Sequence, residues 1–144
     1  IIKEIETIDS DYLVFVDDNM ALDRESAKEL FKRMIPLNRK WISEGNASLA
    51  LDTELLQLMK LSGCVGLQIG FESVQQESMQ TMNKINKLKI SYAEVIQRFH
   101  DAGIGIMGNF VFGLDQDTPD VFENTLEFAV KEKLDFAQFR EMPP

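Results

Sequence analysis

The chain has 144 residues, of which 44% are hydrophobic, and 24 acidic against 15 basic residues give it a formal net charge of -9. Such an acidic surface is unsuited to nucleic acid or to an anionic membrane. No apolar run approaches the roughly 20 residues of a membrane span, and no basic and apolar leader opens the chain. These features indicate a soluble cytoplasmic domain without a membrane span.

Short apolar segments alternate with amphipathic segments along the chain. Strands are predicted to start near residues 12, 41, 65, 104 and 136. Ile1 to Thr7 is interpreted as the tail of a helix, and the third strand is followed by a predicted helix near Glu77 to Met82 and a loop from Asn83 to Lys89. Strand starts roughly 25 to 40 residues apart are typical of βαβ units. The predicted fold class is therefore α/β, with a parallel sheet and right-handed crossovers.

The helices between the strands are predicted from their caps. Asp23 and Asp52 are predicted N-caps, and Ser91 begins a capping box. Gly63 is predicted to stop the helix that Asp52 begins.

The last helix is predicted to begin with Thr118 as its N-cap and Pro119 as its first residue. Asp115 and Asp117 are expected to stabilise the N-terminus of this helix through their negative charge. Its inward face is predicted to consist of Phe122, Thr125, Leu126 and Ala129.

An acid and a hydroxyl stand at the predicted end of the third strand, Glu72 and Ser73. Ligands of parallel α/β proteins bind at the carboxyl ends of strands, so these two residues are candidate binding residues. The alternative is structural: Glu72 would be a solvated acid in the first turn of the following helix, and Ser73 would be the cap of that helix.

Asp17, Asp18 and Asn19 follow the first strand directly. Their oxygen atoms could hold Mg²⁺, which prefers carboxylate and carbonyl ligands. They could also bind the ammonium group of an amino-acid-like ligand through charge-assisted hydrogen bonds. A third interpretation is a loop that only leads into the next helix.

Three other features of the sequence do not indicate a functional site. Gly103, Gly105 and Gly108 match the spacing of a dinucleotide-binding motif, but they follow a helix and enter a strand, the reverse of what the motif requires. Cys64, the only cysteine, has apolar neighbours and is predicted to be a small buried side chain. His100 is predicted to lie at the surface.

Four segments of the chain, taken together and in order, resemble the radical S-adenosylmethionine (SAM) superfamily. They are FVDDNM at 15–20, SGCVGLQIGFES at 62–73, Asn83 with Lys84, and DAGIGIMGNFVFGLD at 101–115. The resemblance covers nearly the whole chain and is greatest to the cobalamin-associated branch, which includes the anaerobic magnesium-protoporphyrin monomethyl ester cyclases.

The resemblance implies a partial TIM-like (β/α) barrel, a mainly parallel open sheet with helices on its outer face. In that family a Cys-x-x-x-Cys-x-x-Cys loop after the first of six strands holds a 4Fe-4S cluster, and this chain lacks that loop. Residues 1–144 would then be a fragment that contains the second to the sixth βα unit. The edge strand near Tyr12 to Val16 would be unpaired, and we expect it to self-associate or to be shielded by another chain.

The resemblance also implies which residues contact SAM at the first and third strands. Asp17, Asp18 and Asn19 occupy the place where family members contact the methionyl amino group. Glu72 and Ser73 match the strand end that reaches the ribose. These assignments come from the family and not from the spacing of the residues.

At the last two strands, the resemblance implies contacts to the adenosine. The strand from Gly108 to Gly113, which includes Asn109, would line the adenosine, and the backbone around Glu141 and Met142 would lie near the adenine. No metal ligand is assigned within the chain.

The implied activity is reductive cleavage of SAM to a 5'-deoxyadenosyl radical, which abstracts hydrogen from a small-molecule organic substrate, for example in a tetrapyrrole cyclase-type reaction. The implied cofactors are SAM, a 4Fe-4S cluster and, within this branch, cobalamin, and a reductant protein is the implied partner. Because three thiolates normally anchor the cluster, the chain alone is expected to bind none of these cofactors and to be inactive.

Two other interpretations stay open on the residues. One is a Mg²⁺-dependent α/β enzyme in which Asp17, Asp18 and Glu72 hold the metal beside a phosphorylated substrate. The other is a non-catalytic scaffold domain. Three closely spaced cysteines upstream of Ile1 would contradict the first interpretation, and SAM binding by the intact protein would contradict the second.

Overall fold

Parallel strands form one sheet in the order of the chain. The structure is a computed structural model that describes residues 1–17, 19–74 and 90–142. Each strand pairs in parallel with the next, which confirms the predicted α/β fold with a parallel sheet. Within the described ranges the strands are β1 (Tyr12–Phe15), β2 (Lys40–Gly45), β3 (Cys64–Glu72), β4 (Gly105–Phe112) and β5 (Phe136–Glu141).

The helices follow the predicted alternation with the strands. Two predicted elements, the helix near residues 77–82 and the loop at 83–89, lie outside the described residues. Within the described part of the chain, no helix is long and apolar enough to cross a membrane. The α-helices described are α1 (Ile2–Thr7), α2 (Arg24–Met34), α3 (Thr53–Leu61), α4 (Tyr92–Asp101) and α5 (Val121–Lys131).

The predicted caps of α2, α3 and α4 are present. The side chains of Asp23, Asp52 and Ser91 each accept a hydrogen bond from a backbone N–H in the first turn of the helix that follows. Gly63 follows α3 with φ 96°, and a Cβ atom there would lie 1.9 Å from the carbonyl oxygen of Arg39. The end of α3 therefore requires glycine.

The start of α5 differs from the prediction. The helix begins at Val121, and Asp120 stands at the N-cap position without a capping hydrogen bond from its side chain. The hydroxyl of Thr118, the predicted cap, instead donates to the Asp120 carboxylate. Thr118 and Pro119 therefore belong to the turn that precedes the helix.

The buried face of α5 also differs from the prediction in part. Thr125 and Ala129 are buried as predicted, but Phe122 and Leu126 are 57% and 58% exposed. Val121 lies four residues before Thr125 and completes the buried stripe. Two parallel apolar stripes, each repeating every four residues, run along this helix, and the sequence pattern does not distinguish which of them faces the sheet.

The helices pack on one face of the sheet, here called the core face. Side chains alternate in direction along a strand, so every second residue points to the core face. Those of Trp41, Ile69, Phe71, Ile106 and Phe110 are completely buried there or nearly so. The opposite face, here called the open face, carries exposed apolar side chains, Tyr12, Val14, Ile42 and Phe136. Helices on one face of a parallel sheet are the predicted partial (β/α) barrel arrangement.

An aromatic cluster joins the carboxyl half of β3 to two helices. The ring of Phe71 lies 4.8 Å from that of Tyr92 in α4, 5.8 Å from that of Phe110 in β4 and 6.0 Å from that of Phe128 in α5. Edge-to-face and offset aromatic contacts at such distances contribute about 0.5–1.5 kcal/mol per pair beyond the burial of area. The carboxyl end of β3 is thus held firmly by its surroundings.

Candidate functional site

The end of β3 has an unusual backbone conformation. Glu72, the last residue of the strand, has φ 67°, in the left-handed region that residues other than glycine rarely adopt. The Ser73 N–H donates to the Phe71 carbonyl oxygen at 2.9 Å, which closes a three-residue γ-turn centred on Glu72. The pairing of β3 with β4 also shifts register between Gly70 and Glu72. Strain of this kind is often found at ligand-binding sites.

The two candidate residues at this turn differ in exposure. Glu72 is half-buried, whereas Ser73 is buried. Glu72 is the last residue of the strand itself, and the helix predicted to follow it lies outside the described residues, so the structural alternative for this acid stays open. Burial and the negative charge of Glu72 raise the pKa of the nearby Tyr92 phenol to about 12.

Asp17 and Asn19 follow β1 at the same edge of the sheet, while Asp18 lies outside the described residues. Asp17 is exposed. The Asn19 side-chain oxygen accepts a hydrogen bond from the Ala21 N–H at 3.1 Å, so this side chain shapes its own loop. Because β1 and β3 are separated by two strand spacings, about 10 Å, one extended ligand can reach both strand ends.

The candidate residues of β4 lie on opposite faces of the sheet. Asn109 faces the open side, in register with Gly70 of β3 and Gln138 of β5. Its Oδ1 atom is buried, and it has no hydrogen-bond partner in the described part of the chain. Gly108 faces the core, where a Cβ atom would lie 2.8 Å from Cδ1 of Leu134. Glycine at this position therefore leaves room for the Leu134 side chain to pack.

The turn after β4 is fixed by Asp117. Gly113 has φ 92°, and the N–H groups of Gly113 and Leu114 donate to Asp117 Oδ2 at 2.8 and 3.0 Å. Asp117 thus holds the backbone of this turn, a role that the sequence interpretation, which assigned it to the N-terminus of α5, did not predict.

The end of β5 lies beside this turn. The Met142 N–H donates to the Phe112 carbonyl oxygen at 2.9 Å, which carries the pairing of β4 and β5 one residue beyond β5. Glu141 is exposed and lies in register with Phe112, whose ring packs against α5 on the core face. The backbone of Met142 is therefore fixed at the carboxyl edge of the sheet, whereas the Glu141 side chain is exposed.

A cavity of about 620 Å³ lies on the open face, along the carboxyl end of β1, the middle of β2 and the amino halves of β3, β4 and β5. This cavity was not predicted from the sequence, although apolar residues on both faces of the strands, such as Val14 and Ile42, indicated that the open face is not simply solvated. The candidate residues at the strand ends lie above this cavity and do not line it, whereas Asp17 and Asn19 line a smaller cavity of about 460 Å³ beside β1. The side chains around the larger cavity include Val14, Ile42, Glu44, Gln68, Met107 and Phe136.

No protein-family model matches the chain, but it has relatives among known proteins. It is 30% identical over 130 residues to the bacteriochlorophyllide d C-12(1)-methyltransferase of Chlorobaculum tepidum, over 90% of this chain and 28% of that protein. It is 25% identical over 153 residues to the anaerobic magnesium-protoporphyrin IX monomethyl ester cyclase of Cereibacter sphaeroides, over 100% of this chain and 25% of the relative.

Solved structures share the fold. The chain matches TsrM of Kitasatospora setae, a radical SAM methyltransferase solved with cobalamin and a 4Fe-4S cluster, with a TM-score of 0.75 and 15% identity over 90% of this chain and 27% of that one. The chain is similar to radical SAM enzymes. Its relatives and structural neighbours are consistent with the cobalamin-associated branch that the sequence motifs predicted, and methyltransferases among them were not predicted. The chain spans between a quarter and a third of the length of these relatives.

The single cysteine of the chain does not suit a cluster. Cys64 begins β3, at the end of the strand opposite Glu72, and burial raises the pKa of its thiol to about 12, which confirms the predicted buried side chain. Among the described residues, no group of three or more His, Cys, Asp or Glu could hold a metal ion. His100 is partly exposed, and its Nε2 lies 3.1 Å from Asp135 Oδ2, away from the carboxyl edge.

Proposed function

We propose that this chain is the SAM-binding part of a radical SAM enzyme and that SAM lies along the carboxyl ends of its strands. The observation that best supports this proposal is the strained turn that presents Glu72 at the end of β3. SAM carries a sulfonium and an ammonium group, and its ribose hydroxyls are hydrogen-bond donors. Carboxylates at this edge therefore suit all three groups.

Each residue has a distinct part in this proposal. Asp17 binds the ammonium group of the methionyl moiety, and Asn19 shapes the loop that carries Asp17. Asp18 is assigned to the same group from the sequence alone. Glu72 accepts hydrogen bonds from the ribose hydroxyls, with Ser73 beside it. The ligand is thereby oriented with its methionyl end over β1 and its ribose over β3.

The adenine is proposed to lie over β4 and β5. Gly113 and the backbone of Met142 meet at this end of the sheet, where a Cβ atom on Gly113 would lie 3.6 Å from the Cβ of Met142. Asn109, whose buried Oδ1 has no partner among the described residues, faces the open side four residues before Gly113. It carries the polar side chain of β4 that is available to the proposed adenosine.

We further propose that residues 1–144 are the second to the sixth βα unit of a longer protein. Cys64 is the only cysteine and is buried at the wrong end of β3, so this chain's residues do not fit a 4Fe-4S cluster, and we derive no step through one. Cysteines elsewhere in the longer protein would hold the cluster, which would supply the electron for reductive cleavage of SAM. Cobalamin and a reductant protein would also act there.

The cavity on the open face is proposed as part of the substrate site. Its volume is in the range of small-molecule sites, and its side chains are mainly apolar, so it suits a large organic substrate. The relatives named above act on a bacteriochlorophyllide and a magnesium-protoporphyrin ester, so we propose a substrate of the tetrapyrrole class. Methyl transfer and ring closure are both represented, and SAM with an isotope-labelled methyl group separates them because only methyl transfer moves the label into the product.

The SAM site is tested by calorimetric titration of the cluster-loaded longer protein and of its Glu72→Gln and Asp17→Asn variants. Each variant removes a charge-assisted hydrogen bond, worth about 1.5–3 kcal/mol, so SAM should bind roughly tenfold to a hundredfold more weakly. The matched control is Glu127→Gln, which neutralises an exposed acid on α5 and should leave binding unchanged.

Melting temperatures are recorded for the same set of variants. They should stay close to that of the parent protein, because neither Asp17 nor the Glu72 carboxylate belongs to the core cluster. Parent-like SAM affinity in both site variants would show that these strand ends do not bind SAM.

A further inference from the structure

Tyr92, the first residue of α4, contacts the γ-turn of Glu72 in two ways. Its hydroxyl donates a hydrogen bond of 3.4 Å to the Phe71 carbonyl oxygen, the same oxygen that accepts the Ser73 N–H at 2.9 Å. Its ring packs edge-on against the ring of Phe71 at 4.8 Å. One side chain thus contacts both the backbone and the side chain of the residue that begins the turn.

The direction of the Phe71 carbonyl decides whether the turn can close. A γ-turn with a left-handed central residue is strained and persists only where the surroundings hold it. The completely buried Phe71 ring fixes one end of the turn, and the Tyr92 hydroxyl holds the carbonyl in the direction that the Ser73 N–H requires. Without the hydroxyl, the peptide between Phe71 and Glu72 has one fewer restraint against rotation.

We propose that Tyr92 is a positioning residue for SAM: its hydroxyl fixes the peptide that orients the Glu72 carboxylate, without touching the ligand. This inference rests on the proposed role of Glu72 in SAM binding. Tyr92 belongs to none of the segments by which the chain resembles its family, and the assignment comes from its contacts with Phe71.

The decisive experiment is a double-mutant cycle between Tyr92→Phe and Glu72→Gln in the cluster-loaded longer protein, with SAM affinity measured by calorimetry. Tyr92→Phe keeps the ring contact and loses one hydrogen bond, so we expect SAM to bind about three- to tenfold more weakly. In the Glu72→Gln background the same substitution should have no further effect, because the carboxylate that it orients is gone. Tyr12→Phe, which changes the exposed tyrosine of β1, is the matched control and should bind SAM as the parent does.

The outcomes separate this inference from the proposed function. If Glu72→Gln binds SAM as tightly as the parent, the SAM site is wrong and the role of Tyr92 falls with it. If Glu72→Gln weakens binding but Tyr92→Phe does not, only the role of Tyr92 is wrong. Equal losses from Tyr92→Phe in both backgrounds would mean that Tyr92 acts independently of Glu72, which would also overturn the inference.

A measurement without ligand guards against a variant that does not fold. In protein labelled with ¹³C-tyrosine, the Tyr92 phenol should ionise near pH 12, and Glu72→Gln should lower this value because it removes the neighbouring negative charge. A Tyr92 titration that is the same with and without the Glu72 charge would overturn the proposed coupling.

Discussion

Cys64 shows at the scale of one residue how burial decides the chemistry of a side chain. The thiol lies at the amino end of β3 and contacts the Gly66 carbonyl oxygen at 3.7 Å. Its surroundings penalise the thiolate, and only the thiolate is a good nucleophile or metal ligand. The residue therefore packs in the core as a small side chain.

We predict that Cys64 does not react with a disulfide reagent at pH 8 while the protein is folded. With its pKa raised to about 12, the thiolate is roughly a thousandfold rarer than in an ordinary cysteine. The free energy of unfolding should also fall above about pH 9, since the unfolded thiol then loses its proton while the folded thiol keeps it. Absorbance of the released thiol, with and without denaturant, measures the first effect.

The control moves the thiol by one residue. In a variant with Cys64→Ala and Val65→Cys, the new thiol stands at a position that is 41% exposed, and it should react without denaturant. Equal reaction rates for folded and unfolded protein at Cys64 would show that this thiol is accessible.

Single residues were predicted well where their neighbours in sequence are also their neighbours in space. The apolar residues around Cys64 indicated its burial, and the caps Asp23 and Asp52 contact backbone only two or three residues away. Gly108 and Asp117 were harder, because their roles depend on which face of β4 a residue occupies and on how the following turn folds back. Neither property is local in the sequence.

At the scale of the element, the turn at the end of β3 can be tested through its backbone alone. We predict that the free energy of unfolding of Glu72→Gly is about 1 kcal/mol higher than that of Glu72→Ala, because a left-handed conformation is strained for alanine but not for glycine. Both variants lack the carboxylate, so the difference between them reports the backbone. Urea unfolding measures it.

Gln68 is the matched control within the same strand. Its φ is not in the left-handed region, so Gln68→Gly should be less stable than Gln68→Ala, by about 0.5–1 kcal/mol. If alanine is preferred over glycine at both positions, the strained turn does not form in solution.

The same turn marks the limit of prediction for whole elements. The existence of the five strands followed from apolar segments and their spacing, and Glu72 was correctly expected at the end of β3. The γ-turn was not predictable, because it arises where the pairing with β4 shifts register, and no local pattern near Phe71 encodes that shift. The predicted start of α5 was wrong because the Thr118 hydroxyl donates a hydrogen bond to the Asp120 carboxylate instead of capping the helix.

At the scale of the whole molecule, β1 is an edge strand that pairs with β2 in the described residues. Val14 is 67% exposed and Val16 87% exposed beside this edge. Unprotected edges with apolar side chains tend to pair with another chain.

We predict that the 144-residue chain self-associates through β1 and that the double substitution Val14→Lys and Val16→Lys makes it monomeric. Lysine on an edge strand opposes pairing through charge and solvation. Sedimentation velocity over a range of concentrations measures the change, and Leu22→Lys, at an exposed loop position, is the control and should leave association unchanged. A parent chain that sediments as a monomer at every concentration would contradict the prediction.

The alternation along β4 has a consequence for how this scaffold can evolve. Ile106, Gly108, Phe110 and Phe112 are buried on the core face, so most substitutions there reduce folding before they alter activity. Met107, on the open face beside the proposed substrate cavity, is less constrained by packing. Under the proposed function, single changes at such an open-face position would alter substrate preference and leave the protein able to fold.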